Sequence, residues 1–170
     1  MPDICDLILD QHDTQRRRFA ELDELRSAGP DALAQAWAPL ATFLELHAAA
    51  EEQVFYPKLL DAGRHATDET DDAISDHNKI RDAVRASRDR EVDTDEWWEA
   101  VDEARAQNGD HMAEEERGAL ADYRSNTSAE TRTALGAEFE AFCREHADGR
   151  GLRPHDKDPE RYIEEHSPGR

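Results

Sequence analysis

The chain has 170 residues, of which 41 are Asp or Glu and 21 are Lys or Arg, giving a net charge of -20. A mean hydropathy of -0.96 goes with the lack of any apolar run near the roughly 18 residues that span a bilayer, so no transmembrane helix is expected. So acidic a surface repels phosphate backbones and anionic headgroups, which argues against nucleic acid and membrane partners.

Apolar residues recur at helical spacing along the whole chain, and no stretch alternates with period two. A first helix is predicted over about 3–27, with Ile4, Ile8, Phe19, Leu22 and Leu25 on its apolar stripe. His12 and Gln15 fall on that same stripe, and Ala28-Gly29-Pro30 ends the helix. A second is predicted over about 31–61, carrying Leu33, Trp37, Leu40, Leu44, His47, Glu51, Val54 and Phe55 inward. Pro39 is expected to kink it or to mark a later start, and Pro57 is awkward within it.

A third helix is predicted over about 68–90, capped by Thr67 or Asp68, with Ala73, Ile74, His77, Ile80 and Val84 as its stripe. A fourth covers about 94–125 behind Asp93 or Thr94, and its inward line runs Trp97, Val101, Ala104, Asn108, His111, Glu115. Gly109 within it costs on the order of 1 kcal/mol relative to Ala, which suggests a local bulge or close packing there. Thr127-Ser128-Ala129-Glu130 reads as a capping box for a fifth helix running to about 146. The tail, 147–170, is rich in Gly, Pro and charge, and is expected to hold one turn around Arg161-Tyr162-Ile163 or to be partly disordered. The expected architecture is all-α: an up-down-up-down four-helix bundle over 1–125, an additional C-terminal helix over 126–146, and a polar tail.

Two cysteines, Cys5 and Cys143, belong to no C-x-x-C pair. Reduced thiols in a cytoplasmic protein are the expectation, together with the absence of a basic and apolar leader.

One pattern occurs twice. His12 is followed by His47-Ala-Ala-Ala-Glu51-Glu52, and His77 by His111-Met-Ala-Glu-Glu115-Glu116. The gap from lone His to motif His is 35 residues in one copy and 34 in the other. In a helix, residues i and i+4 share a face, so His47 projects with Glu51 and His111 with Glu115. Antiparallel packing can bring all six to one level of a bundle. A buried Glu needs a partner. Four imidazoles and two carboxylates at one level are the donors a pair of metal ions takes, and imidazole suits iron, zinc and copper. One H-x-x-x-E alone would be an ordinary surface pair; the matched repetition is what carries the inference.

At these residues the chain resembles the hemerythrin-like family, also called the HHE cation-binding domain. The resemblance covers about residues 1–125 and rests on His12, His47-x-x-x-Glu51 with Glu52 and Tyr56-Pro57, His77, and His111-x-x-x-Glu115 with Glu116. It implies a four-helix bundle with two non-haem iron ions, zinc or manganese being the alternatives. His12 and His47 would serve one ion, His77 and His111 the other, and Glu51 and Glu115 would bridge. The oxygen-carrying members have a further His one turn before His77, where this chain has Ala73. The departure implies a more open site and favours reactivity or sensing over oxygen carriage. The expected partners are small oxygen species, namely O2, peroxide or NO, in oxidative-stress defence. A non-enzymatic iron or oxygen sensor and a metal-buffering module are the competing functions, and no protein partner is named by the sequence.

Other residues carry blander expectations. Glu52 and Glu116 follow a ligand by 100° around the helix and are expected as flanking or solvent-facing charges, with support of a ligand or a spare ligand role as the alternative. Asp10 and Asp76 are expected at the surface, with orienting imidazoles on neighbouring helices as the alternative; Tyr56 and Tyr123 are expected in core packing, with lining the site as the alternative, and Arg16-Arg17-Arg18 on an exposed, salt-bridged face.

Overall fold

In a computed structural model, which describes residues 2–169, helices joined by turns and loops make up the fold, with no strand among the described residues. Helix α1 spans Ile4–Glu24 because the Asp3 side chain accepts from the Cys5 and Asp6 amides, satisfying two of the donors a helix start leaves free. Its buried line is Ile4, Ile8, His12, Gln15, Phe19, Leu22. The turn into α2 (Pro30–Ala50) uses Gly29 at a φ of 95°, a left-handed value that glycine tolerates, followed by Pro30 in the first helical turn.

Helix α2 runs through Pro39 unbroken. The predicted second helix is instead interrupted later, by a wide π turn over Glu51–Phe55 that leads into α3 (Tyr56–Ala62). Pro57 explains the position. It has no amide hydrogen, so an ordinary helix would leave a carbonyl one turn back without a donor. The widened turn, closed by the Tyr56 amide on the Glu51 carbonyl, absorbs the irregularity. It also buries the adjacent carboxylates Glu51 and Glu52 together with Phe55.

Helix α4 spans Ala66–Arg88. It starts earlier than the predicted Thr67 or Asp68 cap, since the His65 amide is held by Asp122 Oδ2 at 2.9 Å. Helix α5 spans Asp95–Arg117 and is capped by Thr94, whose side chain accepts from the Trp97 amide. Gly109 makes no bulge: a Cβ there would meet nothing within 4 Å. The break comes at Gly118, so that the predicted fourth helix is two, α5 and α6 (Ala119–Asn126). Helix α7 spans Ala129–Glu145 behind Ser128 rather than Thr127. The tail is ordered into α8 (Pro159–His166), where a single turn was expected; Asp158 caps it and Tyr162 is buried.

Helices α1, α2, α4 and α5 form the bundle, each packing on the next around a ring, with α4 and α5 sharing the most extensive contact. Helix α7 lies on α1, α2 and the π turn, and α8 lies on α4. Two apolar clusters fill the interior. One holds Ile4, Ile8, Phe55, Tyr56, Leu59, Tyr123 and Phe139; the other holds Phe19, Leu22, Leu33, Trp37, Val84 and Trp97. His12 sits between Ile8 and Phe19 along α1, so the polar layer lies between the two clusters. Both cysteines are free thiols, Cys5 buried and Cys143 half-buried.

Helix α7 is fitted to the N-terminus at Gly136, where a Cβ would come within 2.6 Å of the Pro2 carbonyl and 3.2 Å of the Ile4 amide. Ala in place of Gly gains about 1 kcal/mol of helix propensity, but overpacking against backbone costs about 1–3 kcal/mol. Gly136→Ala is expected to lower stability by up to about 2 kcal/mol in urea unfolding. A rise in the midpoint would show that the contact yields.

Candidate metal centre

Each lone histidine comes from one helix of an antiparallel pair and each histidine-carboxylate motif from the other. Helix α1 supplies His12, the end of α2 supplies His47, and the π turn supplies Glu51. Helix α4 supplies His77, and α5 supplies His111 and Glu115. All six are at most 4% exposed.

The six converge as two groups. His12, His47, Glu51 and Glu115 bring one donor atom each within 4.8 Å of the others, and Glu51, His77 and His111 form a second such set. Glu51 belongs to both because its oxygens diverge. Oε1 lies 2.9 Å from His47 Nε2 and Oε2 lies 3.2 Å from His77 Nε2. Glu115 joins only the first: Oε2 is 3.2 Å from His12 Nε2, while Oε1 accepts from the Tyr56 hydroxyl at 2.8 Å.

The donor set fits metal ions by what it leaves unsatisfied. His12 Nε2, His47 Nε2, Glu51 Oε1 and Glu115 Oε2 are buried and make no hydrogen bond, although they crowd one another. Buried polar atoms ordinarily find partners. Four orphans that are also the four atoms of one group are best satisfied by a cation at their centre. In the second group, His77 Nε2 and His111 Nε2 face each other at 3.1 Å.

Three of the four outward ring nitrogens are held by hydrogen bonds. His12 Nδ1 pairs with Glu116 Oε1 at 2.9 Å and His77 Nδ1 with Glu52 Oε1 at 2.8 Å. His47 Nδ1 pairs with Gln11 Oε1 at 2.7 Å, and His111 Nδ1 stands 3.9 Å from Asp76 Oδ2. The pattern repeats in both halves. The residue after each motif Glu reaches the lone His of the other half, and Gln11, just before His12, reaches His47, whereas Asp76, just before His77, only approaches His111. A hydrogen-bonded Nδ1 fixes the ring and leaves Nε2 free to ligate.

The hemerythrin HHE cation binding domain matches residues 3–149 of the chain. The chain belongs to this family. No curated protein matches it significantly, and neither does any solved structure. The family match extends past the bundle into α7, beyond the 1–125 that the repeated motif covers. For a hemerythrin-like chain, the position of the extra histidine of oxygen carriers is occupied by Ala73, which is buried and lines a cavity against His111 and Glu115.

Electrostatics sort the imidazoles. Burial alone would lower His77, but Glu51 and Glu52 outweigh it and raise its pKa to about 9. Burial would likewise lower His12, and Glu115, Glu51 and Glu116 reverse it; at His47 burial wins and the pKa falls. Burial opposes ionisation of Glu52, yet His77, Arg81 and Lys157 hold its carboxyl down at about 2. The His77 and Glu52 shifts describe one interaction from its two ends and do not add. Tyr56 is pushed well above its ordinary range by burial and by Glu115 and Glu51, so its hydroxyl keeps its proton.

Several expectations are corrected here. Glu52 is not a solvent-facing charge: it is 4% exposed, and it pairs with Arg81 and Lys157 as well as His77. Glu116 is partly buried between His12 and Arg16. Asp76 is 9% exposed beside His111, whereas Asp10 is exposed as expected. Tyr56 is packed in the core but also donates to the site carboxylates. Gln11 was not anticipated, although its position just before His12 parallels that of Asp76 before His77.

Proposed function

We propose that this hemerythrin-like chain holds two non-haem iron ions on His12, His47, Glu51, His77, His111 and Glu115, and binds or reacts with O2, peroxide or NO in oxidative-stress defence. The observation that carries the reading is the divided reach of Glu51, one oxygen towards each histidine pair. A carboxylate so placed suits two cations side by side. When bound, two iron ions supply electrons and exchangeable coordination positions for small oxygen species. Iron fits the mixed imidazole and carboxylate set, with zinc and manganese as the competing metals.

The chain's own groups prepare that chemistry. Gln11, Glu52 and Glu116 orient imidazoles so that Nε2 points inward. Tyr56 holds a proton between Glu115 Oε1, at 2.8 Å, and Glu51 Oε2, at 3.3 Å. The apolar clusters on either side keep bulk water from the layer. Asymmetry favours an open second half, since four residues converge in the first group and three in the second. An open position is what reactive rather than structural metal sites keep.

Anaerobic iron loading followed by metal analysis tests the reading. Two irons per chain are expected, with near-ultraviolet absorption that changes on adding O2, peroxide or NO. Fewer than two irons, or spectra indifferent to all three species, would overturn it. The grip of the C-terminal segment on Glu52 favours a second reading, a sensor whose metal occupancy is felt by the tail.

A further inference from the structure

A cavity of about 380 Å³ opens between α4 and the end of α5. Its inner wall carries His111 and Glu115, which are 2% and 4% exposed. Glu115 Oε2 makes no hydrogen bond. Ala73 contributes only a methyl group to the wall, and the break at Gly118 ends α5 beside it. Outside these stand Glu69, Asp72, Asp76 and Glu114. The opposing cations are Arg117 on the lining and Lys79, which pairs with Asp76 at 2.8 Å.

The other flanks of the polar layer are guarded differently. Arg16 stands behind Glu116 and His12 at 2.7 Å from the carboxylate, and Arg81 with Lys157 stands behind Glu52 and His77. A divalent cation approaching from those sides meets fixed positive charge. From the Ala73 side it meets carboxylates, and focusing of this kind raises the local cation concentration and the on-rate by about 10–1,000-fold. Divalent cations of this hard type take carboxylate oxygens as ligands. Six waters at ~30 Å³ each come to about 180 Å³, so the cavity is large enough for a hydrated ion. Burial and then Asp122 raise the Glu69 carboxyl to about 7, and a cation at the mouth favours its ionised form.

We propose that this cavity is the route by which divalent cations reach and leave the metal centre, with Glu69, Asp72 and Glu114 capturing the hydrated ion and Asp76 passing it to His111 and Glu115. The proposal rests on the two-metal reading above and adds the path and the residues that serve it. Each half borders the cavity through one ligand, the His77–His111 half through His111 and the His12–His47 half through Glu115, so both fill from this side.

Stopped-flow uptake of Co²⁺ by the full metal-free chain, followed by visible absorbance, tests it. The triple variant Glu69→Gln/Asp72→Asn/Glu114→Gln is expected to slow uptake about tenfold and to flatten its dependence on ionic strength. Its endpoint of two ions per chain is unchanged. Ala73→Leu, which narrows the cavity without altering charge, slows uptake as well. Neutralising three acids at the far end of α5, Asp95→Asn/Glu96→Gln/Glu99→Gln, leaves the rate within twofold. Should Ala73→Leu fail to fold, the exposed double variant Asp72→Asn/Glu114→Gln carries the comparison. Mouth variants that load at the wild-type rate, or far-end variants that slow as much, overturn the route while leaving the two-metal site standing. A wild-type chain that takes up no cation overturns both.

Discussion

Glu51→Ala is expected to reduce iron binding from two ions per chain to less than one. Glu51 is fully buried and is the one candidate ligand shared by both groups. Its loss leaves His12, His47 and Glu115 on one side and only His77 and His111 on the other. Altering partners that merely orient a ligand costs about 10–100-fold in affinity, so removing the shared anion costs at least that at both positions. The effect is also thermal. An ion present at 100 times its Kd stabilises the folded chain by about 2.7 kcal/mol, so two come to about 5 kcal/mol. In a chain of this size each kcal/mol moves Tm by about 2–4 °C. Iron should therefore raise the wild-type Tm by about 10–20 °C and that of Glu51→Ala by little. Glu115→Gln separates the roles, because Glu115 serves only the first group; it should keep one ion on Glu51, His77 and His111. Metal analysis after desalting, paired with melts with and without iron, reads both. A Glu51→Ala chain that retains two ions and the full thermal shift would remove Glu51 from the bridging role.

The helices and the six inward residues were legible in the sequence because helical periodicity and a doubled His and Glu spacing report on the same faces. What escaped had local causes that periodicity does not register. Pro57 was visibly out of place, but only a three-dimensional register shows that the chain answers with a wide turn at Glu51–Phe55, burying Glu52 along with Glu51. Of the two glycines in the predicted fourth helix, Gly109 has open space around it and leaves α5 intact, while Gly118 ends it against Glu69. The acceptors on the imidazoles were hidden for another reason. Glu52 and Glu116 sit a 100° step from a ligand, which on a lone helix points away from the site. In a bundle that step points at the next helix, where His77 and His12 stand. Composition alone shows no more of the tail's order than the turn around Arg161-Tyr162-Ile163, which lies within α8. The tail's polarity is real, but Lys157 and Tyr162 have specific partners in the core layer, and two anchors are enough to order a short helix.

Those anchors set the other large effect. Lys157 Nζ reaches a Glu52 oxygen, the Tyr162 hydroxyl donates to the Glu52 carbonyl, and the Lys157 amide is held by Asn78 Oδ1 at 2.9 Å. Glu52 in turn holds His77 Nδ1. A chain ending at Gly151 therefore loses two of the groups that fix Glu52 and opens His77 to water. Its affinity at the His77–His111 half is expected to fall about 10–100-fold, with the His12–His47 group changed little. Glu52→Ala is harsher. It strips His77 of its acceptor and leaves Arg81, 3% exposed, without its carboxylate. Breaking a buried pair from one side costs about 3–5 kcal/mol, which lowers Tm by about 6–20 °C in a chain of this size. Lys157→Met is the milder probe, because Lys157 is partly exposed and Arg81 still balances Glu52. Coupling between tail and metal runs in both directions: if the tail tightens the His77 half, metal there must tighten the tail. Iron should accordingly slow proteolysis within 147–157 in the intact protein, and Lys157→Met should weaken that protection. Equal cleavage of metal-free and loaded chains, together with unaltered iron affinity after the cut at Gly151, would show that α8 covers the site without acting on it.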